Sequence, residues 1–307
     1  MVVGFVILSH SAPEQLTRLI KGLNREYDYP PISCHHDFGQ YSFATEEFSQ
    51  NVSFVRPSIS TGWAKWGTVQ GALEALKLLY EKANPDWFFL LSAADYPIMG
   101  SSRVKEALLE SGCDAFIDAR PLDATSEPAC IVKGRQNPKL DQFNRESTYK
   151  GKRRFYKSRQ FWFPILRLKP RLRIGRVTYW PDWEAPNPFR GWPCFYGDFW
   201  FCGNAKLANI LITPKPKHLD LRRHLRHRTQ PDECYFQTVI MNEHTLTVCL
   251  DNKRFTEWNE GGAHPMYLEE SQLCEIYESG AFFARKFRSD SMLPEKIDAY
   301  LGHQRMR

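Results

Sequence analysis

The chain has 307 residues, 42% of them hydrophobic, enough to bury a sizeable core as one large domain or as two that share a sheet. Its formal net charge of +6 is modest, but Arg, Lys and His crowd into 150–176 and 215–228, which points to an anionic ligand and away from a nucleic-acid tail. The eight cysteines are scattered without a C-x-x-C pair, which weakens metal-finger and disulfide-scaffold readings and leaves reduced, buried thiols in a cytosolic protein as the simplest account.

Val2 to Leu8 is an apolar run that turns polar at Ser9-His10-Ser11. It is too short to span a bilayer and has neither a basic leader nor a small-residue cleavage site, so a buried first strand is expected. No other stretch is long and apolar enough to cross a membrane, and the expectation is a soluble, cytoplasmic protein. Pro13 then opens a segment with Leu16, Leu19, Ile20 and Leu23 on one stripe, the spacing of a helix. A second strand is expected over Ile32 to His36, ending at Asp37, and a third over Val52 to Val55. An Asp at a strand end just after the first helix sits where α/β sheets present ligand-binding groups, and it could take part of a nucleotide. Asp37-Phe38-Gly39-Gln40 equally suits a plain turn.

Thr61 to Trp66 leads into an amphipathic helix from Gly67 to Tyr80, stopped at Asn84-Pro85-Asp86. Trp87 to Ser92 is nearly continuous in apolar residues, as expected of a central strand covered on both faces, and it runs into Ala93-Ala94-Asp95. Residues 112–118 resemble another strand. From Arg120 to about Pro188 the chain is irregular, basic and aromatic, a composition more typical of a functional loop or insertion than of core. An acceptor-side wall, a surface for an acidic partner and a membrane-surface patch all stay open for it. The aromatic stretch 191–202, which holds Trp200, suits the apolar faces of sugars or simple core packing. A helix is expected over Asn204 to Ile212, a strand over Thr245 to Leu250, and a last helix around Leu268 to Tyr277.

Pro231-Asp232-Glu233 precedes apolar residues at helical spacing, Tyr235 and Val239. This places two carboxylates on the first turn of a helix, where exposed N–H groups and the dipole favour anions. The pair reads as a cap and first-turn acid, or as the position of a catalytic base. No strand end carries Asp-x-Asp, the pair with which nucleotide-sugar transferases generally hold a divalent cation against the diphosphate. If such a donor is used here, Lys and Arg are the available substitutes.

In their order along the chain, Ile7-Leu8-Ser9-His10, Cys34-His35-His36-Asp37, Trp66-Gly67-Thr68-Val69-Gln70, Phe89 to Ile98, Pro231 to Thr238 and Phe283-Ala284-Arg285-Lys286-Phe287 form a specific set. The set resembles the core-2/I-branching β-1,6-N-acetylglucosaminyltransferases and the related peptide O-xylosyltransferases, grouped as glycosyltransferase family 14. The resemblance implies an α/β, GT-A-type fold with a Rossmann-like nucleotide-binding half and a mixed central sheet. It implies a single catalytic domain over 1–307, with a UDP-sugar-binding half (1–119), an irregular insertion (120–190) and an acceptor and catalytic half (191–307).

The implied reaction is an inverting, metal-free transfer of a sugar, N-acetylglucosamine in the branching type, from a UDP-sugar to a hydroxyl of a glycan acceptor. Carried over by position, Asp37 would contact uridine, Asp95 would lie near the donor sugar, Glu233 would be the general base and Lys286 would pair with the diphosphate. His10 and Trp66 lie in matching stretches and are expected on the donor side. The branching enzymes carry a second phosphate-binding Arg where this chain has Ala263 and His264; His264, Arg285 or a residue of the basic runs would replace it. Trp258 and Trp200 are acceptor-side candidates, and Asp232 becomes the first-turn acid that holds the helix start. No metal, cofactor or nucleic-acid partner is expected, and peripheral membrane contact through the basic runs stays open. Two alternatives stand beside this reading. One is a UDP-xylose-dependent O-xylosyltransferase, which the Trp258, Gly262 and His264-Pro265 region also resembles. The other is a carbohydrate- or nucleotide-binding module without catalysis.

Overall fold

The computed structural model describes residues 1–11, 13–121, 172–174, 177–179, 192–226, 228, 230–259 and 265–305. Its organising element is the first apolar run. β1 (Val3–Ser9) is buried along almost its whole length because strands flank it on both edges and helices cover both faces. After α1 (Pro13–Tyr27) the chain returns as β2 (Ile32–His36) and then β3 (Val52–Phe54), each parallel to its neighbour. α2 (Trp66–Lys82) crosses back, and β4 (Trp87–Ser92) pairs in parallel with the other edge of β1. Leu8 lies level with His35 on one side and Ser92 on the other. The carboxyl ends of three strands therefore open on one edge, and His10, Asp37 and the segment leading to Asp95 leave from it.

β5 (Asp95–Pro97) and α3 (Ser101–Glu110) follow, and the sheet then becomes mixed. β6 (Ala115–Ile117) and β11 (Phe201–Asn204) extend it, β11 running antiparallel to both β4 and β6. β12 (Val248–Cys249) closes the far edge in parallel with β6, giving the order β3-β2-β1-β4-β11-β6-β12. Short β7 (Arg120–Pro121) and β10 (Phe195–Tyr196) pair with each other, as do β8 (Leu172–Ile174) and β9 (Val177–Tyr179). A second sheet orders β13 (Arg254–Thr256), β14 (Phe283–Arg285) and β5, and places Arg285 level with Asp95.

The alternation of a strand's side chains divides the core into two layers. Trp87, Phe89 and Leu91 of β4 join Phe5, Phe116, Phe282 and Phe283 under α1 and the C-terminal segments. Phe88 and Leu90 face the other way, toward α2, α4 (Ala205–Ile212), α5 (Pro216–Leu225) and α6 (Tyr235–Met241). Each such buried ring contributes roughly 1.5–3 kcal/mol.

Several expectations change. Pro231–Glu233 is a separate 3-10 turn, and α6 starts only at Tyr235. Cys234 interrupts the run at φ −133°, with its thiol packed against Cys194 and Thr238. The basic run 215–228, read only as charge, contains helix α5, and α3 was not foreseen. The helix expected at 268–277 is a 3-10 turn, Glu270–Gln272, followed by α7 (Leu273–Glu278), and it is not the last, since α8 (Leu293–Arg305) follows. The strand expected over 245–250 narrows to two residues. Most of the irregular stretch 120–190 lies outside the described residues. Of the described cysteines, Cys34, Cys194, Cys202 and Cys234 are buried, but Cys113 and Cys249 are half-buried and Cys274 is exposed, so burial does not hold for all of them. Among the described residues no helix is long and apolar enough to cross a membrane.

Candidate active site

Asp37 stands at the end of β2 with 2% of its surface exposed. Its Oδ1 accepts from the Gly39 amide at 3.1 Å, and its Oδ2 accepts from Gln40 Nε2 at 2.6 Å, the Thr61 amide at 2.6 Å and the Thr61 hydroxyl at 2.9 Å. Burial pushes this carboxyl up, but the donors from Gln40, Thr61 and Gly39 outweigh it and hold the group down to about 2. Asp37 is therefore an anion that folds the 57–64 loop onto the strand end. His36 fixes the other side of that end, with Nδ1 at 3.1 Å from the Ser9 hydroxyl and Nε2 at 2.6 Å from the Tyr41 carbonyl. His10, exposed, leaves β1 beside it.

Asp95 meets the opposite charge. Its Oδ2 accepts from Arg254 Nη1 at 2.8 Å and the Ser92 amide at 3.1 Å, and its Oδ1 accepts from the Ser92 hydroxyl at 2.8 Å. Arg285 Nε approaches Oδ1 to 3.2 Å as an ion pair, off the line of a hydrogen bond. The Arg285 guanidinium lies 4.6 Å from the centroid of buried Trp200, so the two residues form one unit at the end of β14. Nearby, burial pushes the Asp198 carboxyl up to about 6; Arg285 and Arg254 pull it back, while Asp118 and Asp95 add to the push. Asn252 donates to Asp198 Oδ2 at 3.0 Å.

Glu233 ends the 3-10 turn and its carbonyl accepts from the Gly197 amide at 3.0 Å, one residue before Asp198. Gln230 Nε2 donates to Glu233 Oε1 at 3.0 Å. Its own amide donates to the Ala64 carbonyl at 3.1 Å, on the loop that Asp37 organises. Trp66, at 9% exposure, packs edge-on against Tyr235 at 5.3 Å, in the core next to this turn. Asp232 lies on the first turn of the separate 3-10 segment: its Oδ1 is buried without a hydrogen bond, and burial with the Asp198 charge raises it to about 6 against the backbone amides of Asp232 and Glu233.

The structure thus gathers Asp37, Glu233, Asp95, Arg285 and Trp200 along connected segments. Lys286, adjacent to Arg285, holds its ammonium 4.9 Å from the centroid of the exposed Tyr267 ring, with Arg288 at 5.2 Å from the same ring. Trp258 is half-buried and bridges to Pro265; His264 lies outside the described residues. The basic run 215–228 spends much of its charge internally. Lys215 pairs with Glu243 at 2.6 Å, Arg222 donates to the Tyr235 hydroxyl at 2.7 Å and Arg223 pairs with Asp220 at 2.9 Å. Sequence reasoning did not find Arg254, Asp198 or Thr61, whose partners are distant in the chain, nor Gln230, whose side chain turns to Glu233 only through a left-handed backbone that no local signal reports. Among the described residues no group of three or more His, Cys, Asp or Glu side chains is arranged to hold a metal ion.

Comparison with known proteins gives this geometry a family. The model of the Core-2/I-Branching enzyme family matches residues 35–279, about four fifths of the chain. That span includes Asp37, Asp95 and Glu233 and stops short of Arg285 and Lys286. Two Arabidopsis thaliana proteins, beta-glucuronosyltransferases GlcAT14B and GlcAT14A, are 28% and 27% identical over 73% and 72% of this chain. The matches take in 46% and 44% of those proteins, so the chain spans about half the length of the curated relatives it matches. Mouse xyloside xylosyltransferase 1 aligns over 92% of this chain and 97% of its own at 10% identity with a TM-score of 0.37, too loose to bear an argument. On the extent of the family match, the chain belongs to the Core-2/I-branching enzymes, glycosyltransferase family 14.

Proposed function

We propose that the chain moves a sugar from a UDP-sugar to a hydroxyl of a glycan acceptor, with inversion and without a metal ion. The observation that carries this reading is the Gly197-Asp198 segment. Its amide binds the Glu233 carbonyl, and its carboxylate lies in the field of Arg285 and Arg254. A carboxylate-bearing turn and a cationic strand end therefore flank one short stretch. In an inverting displacement the acceptor hydroxyl gives its proton to Glu233 as its oxygen bonds the anomeric carbon. The bond from that carbon to the diphosphate oxygen breaks on the far side, and UDP leaves toward Lys286 and Arg285. Asp95 supports the metal-free form of this chemistry. At the strand end where a cation would be held, its carboxylate is already engaged by Ser92, Arg254 and Arg285. Asp37 keeps the uridine-side role through the loop it folds.

N-acetylglucosamine is the proposed donor sugar, from the branching-type resemblance. Glucuronate is the second reading, favoured by the names of the plant relatives. A donor screen with UDP-N-acetylglucosamine, UDP-glucuronate, UDP-xylose and UDP-glucose, read by UDP release and thermal shift in EDTA, tests both points. Turnover with one donor, undiminished by EDTA, is expected. A strict requirement for Mn²⁺ or Mg²⁺ contradicts the metal-free mechanism, and UDP release from no donor favours a binding module.

A further inference from the structure

Gln230 sits where two parts of the site meet. Its backbone amide holds the Ala64 carbonyl at 3.1 Å, three residues past the Thr61 that binds Asp37, while its side-chain amide reaches Glu233 Oε1 at 3.0 Å. Its backbone is left-handed, φ 57° and ψ 46°, a conformation that costs a non-glycine residue about 1 kcal/mol or more and that glycine adopts freely. The glutamine at this position supplies the Nε2 donor to Glu233, which a glycine there would lack. We propose that Gln230 is a positioning residue for the general base, aiming the Glu233 carboxylate and holding it ionised, and that it fastens the base to the donor-side loop. The inference rests on Glu233 being the base.

A neutral N–H donated to a carboxylate favours the charged form, so it keeps the base free of its proton at lower pH. Losing that donor raises the pKa of Glu233 and moves the acid limb of kcat/KM to higher pH. Replacing the donor with a second carboxylate does so more strongly, because two like charges then face each other. Among the described residues, the elements around the turn also carry Asp232 on the turn itself, Tyr196 and Asp198 on either side of Gly197, Lys65 in the loop, Glu74, Lys77, Tyr80, Glu81 and Lys82 on α2, Tyr235 of α6, with Arg222 on its hydroxyl, and Arg228 in the preceding segment. They are common to the variants compared, so they do not produce the difference between them.

Three variants test this. Gln230→Gly relieves the backbone and removes the amide; it is expected to melt no lower than wild type and to turn over about tenfold more slowly, with the donor KM within about twofold. Gln230→Met gives the same kinetic split with a side chain of similar size. Gln230→Glu is expected to lift the acid limb by at least about one pH unit, so that its deficit narrows as pH rises. A purely structural residue would give stability losses and a deficit independent of pH. The inference is overturned if Gln230→Glu leaves the acid limb in place, or Gln230→Gly keeps full turnover, while Glu233→Gln is inactive. If Glu233→Gln itself turns over normally, the assignment of the base falls and the role of Gln230 falls with it.

Discussion

Asp37 and Asp232 show how differently two carboxyls can be held. Asp37 accepts four hydrogen bonds and is depressed to about 2, so its contribution to stability is complete above the ordinary value near 3.8 and disappears as pH falls toward 2. The shift corresponds to about 2 kcal/mol. Asp37→Asn is therefore expected to lose about that much stability in urea unfolding at pH 7, with the gap closing between about pH 4 and pH 2. Asp232 is raised to about 6 by burial, with Oδ1 unpaired, so the folded state prefers it protonated and stability is lost as pH rises from about 4 through 6. Asp232→Asn should melt above wild type at pH 7.5 and match it near pH 4. A gap of the same size at both pH values would contradict this account.

The loop from 57 to 65 and the start of α2 depend on a close backbone approach. A Cβ on Gly67 would sit 2.1 Å from the Ser60 carbonyl oxygen, a clash only backbone movement can relieve. Because the adjacent Thr61 supplies two of the Asp37 hydrogen bonds, Gly67→Ala is expected to cost about 1–3 kcal/mol and to weaken UDP binding, measured by calorimetry. Unchanged UDP affinity would separate the loop from the donor site. Elements of this kind were unevenly legible in the sequence. β1 and β4 announce themselves because strands covered on both faces are nearly continuous in apolar residues, whereas β2 buries Ser33, His35 and His36 as well as Ile32 and Cys34. α5 was hidden because its apolar stripe is only Leu221 and Leu225 amid basic residues, and its third buried side chain is polar: His218, 3.0 Å from Glu243, which Lys215 also binds. The start of α6 was misplaced because nothing local reports that Cys234 turns inward. At the site, Glu233 and Asp37 stood out by chemistry and position, whereas Arg254 reaches Asp95 from 159 residues away, a pairing only the folded sheet reveals.

Across the whole molecule, the two ends of the chain hold each other. Gln15 donates to the Phe287 carbonyl at 2.7 Å, Arg18 grips the carbonyls of Ser289 and Ser291 at 3.0 Å each, and the Tyr96 hydroxyl lies 3.0 Å from both oxygens of Asp298. Ile297 and Leu301 of α8 share a core with Phe5, Leu16 and Phe283, so β14, which ends at Arg285 just before Lys286, is braced by the first helix. Calorimetric unfolding is therefore expected to show one transition, and two resolved transitions would contradict a single catalytic unit. The most direct measurement is turnover and UDP affinity for Glu233→Gln. Loss of about 10²- to 10⁴-fold in kcat with UDP affinity within about twofold is predicted for a general base. Near-normal kcat in that variant would contradict the mechanism.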